Sequence, residues 1–349
     1  MTKGLKHLRL RHLWALGFLV AGASMAQPLA TPGMLANMPD AAVPSADFSV
    51  LTYNVKGLPW PVATDRQHPL RAIGQRLAAM RMLGQHPSVV VVQEAFTRDA
   101  KAIAALAGYA YFVEGPYSRP PGAGSGLPHA KWYLGETQGA VLDSGLAILS
   151  DMPILSVVRE PFPDGACAGY DCLAAKGVLL ATLQLPAGQA PGGGDLVQVA
   201  TTHLNSRSAS GAPVGKSQAA YRKQVDFLAE FLARHRDPAI PLVLAGDFNR
   251  GQRAARARML DETVMKLAGT SVLHEALNLQ MMADDAGIGR SADAQWIRLK
   301  ARDMQYPVDG HKAGLLPVGA AVPFGTERDG SLLSDHMGFT IHYRIAPKS

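Results

Sequence analysis

The sequence predicts a layered α/β protein, and three observations carry that prediction. Val/Leu/Ile-rich runs of strand length recur along the chain, segments with apolar residues at helical spacing lie between them, and Gly/Pro-rich stretches punctuate the alternation. The expected strands are 49–55, 88–92, 144–149, 177–183, 196–202, 241–245 and 338–345. The expected helices are 70–83, 99–106 and 217–234. Residues 117–139, rich in Gly and Pro, read as a long irregular loop that carries Trp132 and Tyr133.

The N-terminus has a different character. Lys3, Lys6, Arg9 and Arg11 precede an apolar run at 13–23, and Ser24-Met25-Ala26 supplies small residues for cleavage. The run is shorter than the ~20 residues a membrane span needs, so 1–26 reads as a cleaved signal peptide and the protein as periplasmic or secreted. Residues 27–45, with Pro, Ala and Met in no regular period, read as a flexible leader. The remainder, 46–349, shows no repeat and no shift in composition, which predicts one catalytic domain and a monomer.

At 48% hydrophobic and 18% charged, the composition is that of a globular protein, with no further segment apolar enough to span a membrane. Removing the four basic residues of 1–26 from the net charge of +6 leaves +2. That modest balance weighs against a chain built to live on nucleic acid. Arg250, Arg253, Arg256 and Arg258 form the one basic cluster, expected on a solvated helix face. The two cysteines, Cys167 and Cys172, predict a disulfide in an oxidising compartment.

Polar residues stand where the apolar runs end: Asn54, Glu94, His203 with Asn205, Asp247 with Asn249, and Asp335 with His336. Singly, each suits a turn. Together, at the ends of sheet strands, they describe a site whose members converge although far apart in sequence.

Thr52-Tyr53-Asn54-Val55, Val92-Gln93-Glu94, Gly145 to Ser150, Thr202-His203-Leu204-Asn205, Gly246-Asp247-Phe248-Asn249 and Ser334-Asp335-His336 resemble, in order, the motif series of the endonuclease/exonuclease/phosphatase superfamily. The resemblance implies a four-layer sandwich: two mixed β-sheets packed face to face, helices outside, and one metal-dependent site at the top. It makes Glu94, Asn54 and Asp335 the candidates around Mg²⁺, with Mn²⁺ as a substitute, because hard oxygen donors suit such a cation. His336 becomes the base that activates water and needs a pKa near neutrality. His203 and Asn249 become donors to phosphate oxygens, and Asp247 an acid near the leaving oxygen. The family's orienting aspartate lies in an Arg-x-Asp-Tyr motif; here the sequence reads Arg302-Asp303-Met304-Gln305-Tyr306, so Asp303 is the choice and Asp309 the fallback.

Asp171 to Gly177 resembles the Asp-x4-Lys-Gly element of neutral sphingomyelinases, and Asn54 to Pro59 their first motif. That branch implies Lys176 at the substrate phosphate, Asp171 pairing with it, and phospholipase C-type hydrolysis of sphingomyelin or a related phospholipid, with Trp60, Trp132 and Tyr133 available to a lipid interface. A secreted nuclease acting on DNA or RNA is the alternative.

Overall fold

The computed structural model describes residues 46–117, 126–186, 195–284 and 286–348. The signal-peptide and leader readings, and residues 118–125 of the expected long loop, lie outside the described residues. The strands are β1 (Phe48–Asn54), β2 (Val89–Gln93), β3 (Tyr111–Glu114), β4 (Ala147–Ser150), β5 (Ile154–Pro161), β6 (Gly177–Gln184), β7 (Leu196–His203), β8 (Leu242–Asp247), β9 (Asp303–Val308), β10 (Ala313–Phe324) and β11 (Gly338–Pro347). The helices are α1 (Gln67–Met82), α2 (Arg98–Lys101), α3 (Ile103–Ala107), α4 (Val214–His235), α5 (Ala254–Ala268), α6 (Ala276–Ala283) and α7 (Ala292–Lys300). The strands form a six-stranded sheet, β10-β11-β1-β2-β4-β3, and a five-stranded sheet, β5-β6-β7-β8-β9. Both sheets mix parallel and antiparallel pairs.

The apolar runs without alternation are explained by burial on both faces. In β2, Val89 and Val91 enter the layer between the sheets, while Val90 and Val92 pack under α1 and α3. In β8, Val243 and Ala245 face between the sheets, while Leu242 and Leu244 pack with Tyr221, Val225, Leu228 and Leu260 of α4 and α5. Each strand thus feeds two cores, which gives the four-layer sandwich.

The strands without a clear sequence signal are edge or mixed-polarity strands. β3 and β5 lie at sheet edges with half-exposed residues, β9 contains Pro307, and β10 is rich in Gly, Ala and Pro. The expected helix 99–106 is two short helices, Arg98–Lys101 and Ile103–Ala107, and α4 begins directly after Pro213. Cys167 and Cys172 are joined by a disulfide.

The layer between the sheets should dominate stability. Leu179→Ala, at a fully buried site between the sheets, should lower unfolding free energy by about 2–5 kcal/mol in urea titration. Leu155→Ala, 55% exposed on an edge strand, should change it by less than about 0.5 kcal/mol.

Candidate active site

Strand polarity brings the polar residues to one end of the sandwich. β1 and β2 run parallel in the first sheet, with Asn54 paired to Gln93. In the second sheet β7 and β8 run parallel and β9 antiparallel, with His203 beside Asp247 and Asp247 beside Asp303. The C-terminal ends of β1, β2, β7 and β8 therefore meet the N-terminal ends of β9 and β11. Asn54, His203, Asp247 and Asp303 are terminal residues of their strands, Glu94 follows β2 with a left-handed φ of 59°, and His336 lies two residues before β11.

The side chains interlock. Asn54 Nδ2 donates to Glu94 Oε1 at 2.9 Å and to Asp247 Oδ2 at 3.1 Å, and its Oδ1 accepts from the Lys56 backbone N–H at 3.1 Å. His336 Nδ1 meets Asp303 Oδ2 at 2.7 Å, and its Nε2 lies 3.8 Å from Asp247 Oδ2 and 3.4 Å from Arg302 Nη1. Asp309, the fallback partner, is elsewhere: it accepts from Leu315 N and pairs with Lys348. Lys176 is buried, against the ordinary expectation for lysine. Its Nζ donates to Asp171 Oδ1 at 2.7 Å and lies 3.2 Å from His203 Nε2, while Asp171 Oδ2 accepts from Ser206 N at 2.8 Å. His203 Nε2 is also 3.4 Å from Asp247 Oδ2. Asn249 donates its backbone N–H to Asp247 Oδ1 and its side-chain amide to Leu204 O. Asp335 stands apart from this cluster, 55% exposed at the mouth and 3.7 Å from Lys56 Nζ.

The two histidines are driven in opposite directions. Burial opposes charge on His336, but the Asp303 and Asp247 carboxylates outweigh it and push its pKa up to about 10. Burial and the Lys176 ammonium together push His203 down to about 4, so it is neutral. Burial also raises Glu94, while it fails to raise Asp247, which His203, His336 and the Asn54 amide hold below the usual carboxylate range. The two carboxylates thus favour the protonated form of His336, above the near-neutral pKa expected of a base. The same neighbours of Asp247 favour its ionised form.

The donor set fits a hard divalent cation. Asp247, Asp303 and His336 place one ligand atom each within 4.8 Å of one another, and Asp303 and His336 are also bonded to each other through Oδ2 and Nδ1. Glu94 and Asp247 remain: two carboxylates of like charge bracketing one amide nitrogen, an arrangement that a cation between them would neutralise.

Arg256 is a part of the site that the sequence reading misplaced. It is not on a solvated face: it is 1% exposed, with Nη1 donating to Asn205 O at 2.7 Å and Asn249 O at 3.1 Å, Nη2 to Ser206 O and Ser217 O, and its guanidinium 4.2 Å from the Tyr221 ring centroid. It ties the loops after β7 and β8 to α4. The signal in the sequence was spacing, since Arg256, Leu260 and Val264 recur every fourth residue and share the buried face of α5. Arg250 is likewise not free, pairing with Asp261 at 2.6 Å. Arg253 and Arg258 are exposed as expected.

The floor opens into a cavity of about 740 Å³ lined by, among others, Glu94, Lys176, His203, Asp247, Asn249 and His336. Residues 51–263 match the Endonuclease/Exonuclease/phosphatase family. A sphingomyelinase of Mycobacterium tuberculosis is 27% identical over 208 residues, 59% of this chain; the chain spans about a third, 34%, of that relative's length. Sphingomyelinase C from Streptomyces griseocarneus superposes with a TM-score of 0.55 at 24% identity, covering 84% of this chain and 98% of that one. Beta toxin from Staphylococcus aureus, solved with bound magnesium ions, gives 0.55 at 16% identity over 85% of this chain and 99% of that one.

Replacing the buried guanidinium should be costly, because it leaves several buried carbonyls unpaired at once. Arg256→Met should lower unfolding free energy by about 3 kcal/mol or more in urea titration, whereas Arg258→Met, on the exposed side of the same helix, should stay within about 0.5 kcal/mol.

Proposed function

The chain belongs to the endonuclease/exonuclease/phosphatase family, and from that premise we propose that it is an exported, metal-dependent phosphodiesterase that hydrolyses sphingomyelin or a related phospholipid in the manner of a phospholipase C. The observation that carries the reading is Lys176: a buried lysine held by Asp171 and facing His203 on the floor of the same cavity as the His336–Asp303 pair. Sphingomyelinases among the similar proteins support the substrate class. So do the exposed rings of Trp60, 80% exposed, and of Trp132 and Tyr133, which suit the headgroup level of a bilayer. Among the described residues no helix is long and apolar enough to cross a membrane. In this reading the protein acts from the bilayer surface, as a monomer released by cleavage of residues 1–26.

Glu94 and Asp247 would hold Mg²⁺, or Mn²⁺ in its place. When bound, the cation supplies Lewis-acid stabilisation of negative charge on the phosphate and lowers the proton affinity of nearby groups. As the water oxygen bonds to phosphorus and the bond to the lipid alkoxide breaks, His336 takes the water's proton at Nε2 and the alkoxide leaves as the alcohol, protonated from solvent. Asp303 fixes the tautomer from the Nδ1 side and supports the imidazolium. Lys176 brings a fixed positive charge to the phosphate oxygens as their charge grows, and neutral His203 stands next to it. Asn249, whose backbone N–H holds Asp247, shapes the floor beside them. Asp171 holds Lys176 in place.

Metal dependence and substrate are tested together. The Mg²⁺-loaded protein should release phosphocholine from sphingomyelin liposomes, lose that activity in EDTA and regain it with Mg²⁺ or Mn²⁺. Glu94→Gln should shift the Mg²⁺ titration to higher concentration. Plasmid nicking with every liposome left intact would instead favour the nuclease alternative.

Lys176→Ala removes a charged contact worth about 1.5–3 kcal/mol, which corresponds to a loss of roughly tenfold to a hundredfold in kcat/KM on liposomes. His336→Ala should lose more. An unchanged kcat/KM for Lys176→Ala would remove the lysine from the reaction.

A further inference from the structure

The cavity over the site is electrically two-sided. Six cationic side chains line it: Lys176, Arg207, Arg250, Arg253, Lys300 and Arg302. Two are neutralised by carboxylates, Lys176 by Asp171 and Arg250 by Asp261. The other four make no ion pair among the described residues: Arg302 reaches only His336 Nε2, Lys300 lies over the Trp296 ring, and Arg207 and Arg253 are exposed with no polar partner for their side chains.

These four come from adjacent places in the fold. Arg207 follows β7, Arg253 stands at the start of α5 after β8, Lys300 ends α7, and Arg302 lies between α7 and β9. Since β7, β8 and β9 are neighbours in the second sheet, the four form one wall. Leu58, Pro59, Val62, Phe96 and Leu142 line the opposite side from segments next to β1, β2 and β4, neighbours in the first sheet, while Tyr170, Leu173 and Leu299 add apolar lining from second-sheet segments. Trp60 extends that apolar side into solvent. The reacting groups lie on the floor between the two walls.

A phospholipid seated with its phosphate on this floor has two unlike ends. Its chain-bearing alcohol matches the apolar wall, which continues to the bilayer through Trp60. Its headgroup then faces four cations without an ion-pair partner among the described residues. A choline would bring a fifth positive charge against them, whereas a headgroup anion would satisfy them with charge-assisted hydrogen bonds. We propose that Arg207, Arg253, Lys300 and Arg302 form a subsite for a second anionic group on the headgroup side of the scissile phosphate. On this view the preferred lipid carries a second phosphate rather than choline.

The inference rests on the phospholipase C reading and refines it. The apolar wall and the exposed Trp60 favour a lipid over a nucleic-acid backbone, which would need cations along its whole path.

The test compares the Mg²⁺-loaded protein on vesicles of cardiolipin, whose headgroup carries a second phosphate, and of sphingomyelin. Both are brought to the same surface charge with cholesterol sulfate, which has no phosphodiester, so surface attraction cancels. Wild type should show a kcat/KM on cardiolipin at least about tenfold above that on sphingomyelin, and the double variant Arg207→Gln, Arg253→Gln should lower that ratio by about tenfold or more. A wild-type preference for sphingomyelin, or the same ratio in the double variant, overturns the subsite and leaves the phospholipase reading standing. If neither lipid is cleaved while plasmid DNA is nicked, the phospholipase reading itself falls, and the cationic wall belongs to a nucleic-acid substrate.

Discussion

A single amide holds the two sheets together at the site. Asn54 ends a strand of the first sheet, yet its Nδ2 donates to Asp247 at the end of a strand of the second, and to Glu94 beside it. Everything chemical in the cavity is placed relative to that clamp. Asp247 is held in turn by the backbone N–H of Asn249, lies within reach of both histidines, and is the register neighbour of Asp303, which orients His336. Moving the sheets past one another by one residue would separate all of these groups at once. The apolar layer between the sheets would barely register the change, since burial is non-directional.

The clamp is not alone in fixing register. Gln305 Nε2 of the second sheet donates to the Val50 carbonyl of the first, and the Tyr343 hydroxyl donates to Gln305 Oε1; Gln93 Nε2 reaches across to Thr201 Oγ1. All these groups are buried, where an unmade bond costs about 1–3 kcal/mol. Polar residues in a layer otherwise built of Val, Leu and Ile therefore penalise every misaligned packing more than they stabilise the aligned one.

This division explains how much was legible in the sequence. The central strands could be read because burial on both faces leaves continuous Val/Leu runs, and the site residues because each sits where such a run ends. Their convergence came from the ordered motif series, since strand polarity cannot be read from composition. What stayed hidden depends on contacts between distant segments. β3, β5, β9 and β10 owe their extended form to a neighbouring strand, so their own residues carry a weak signal. Arg256 looked like surface charge because its acceptors are backbone carbonyls, which leave no trace in side-chain identity. An imperfect motif points to Asp303 over Asp309, and the pairing of β8 with β9 is what carries Asp303 to His336.

The charge pattern follows from the same architecture. The acids that hold Asn54 and orient His336 cluster where the two sheets meet, so His336 is drawn toward its protonated form and the neighbouring carboxylates are left with negative charge to share. His203, one strand away, is kept neutral first by burial and then by the Lys176 ammonium. Two histidines with opposite charge states a few ångströms apart are possible because their nearest ions differ in sign and burial keeps water from levelling them. A phosphodiester entering this site therefore meets a graded field, running from the acid-rich junction of the sheets to the basic loops after β7 and β8.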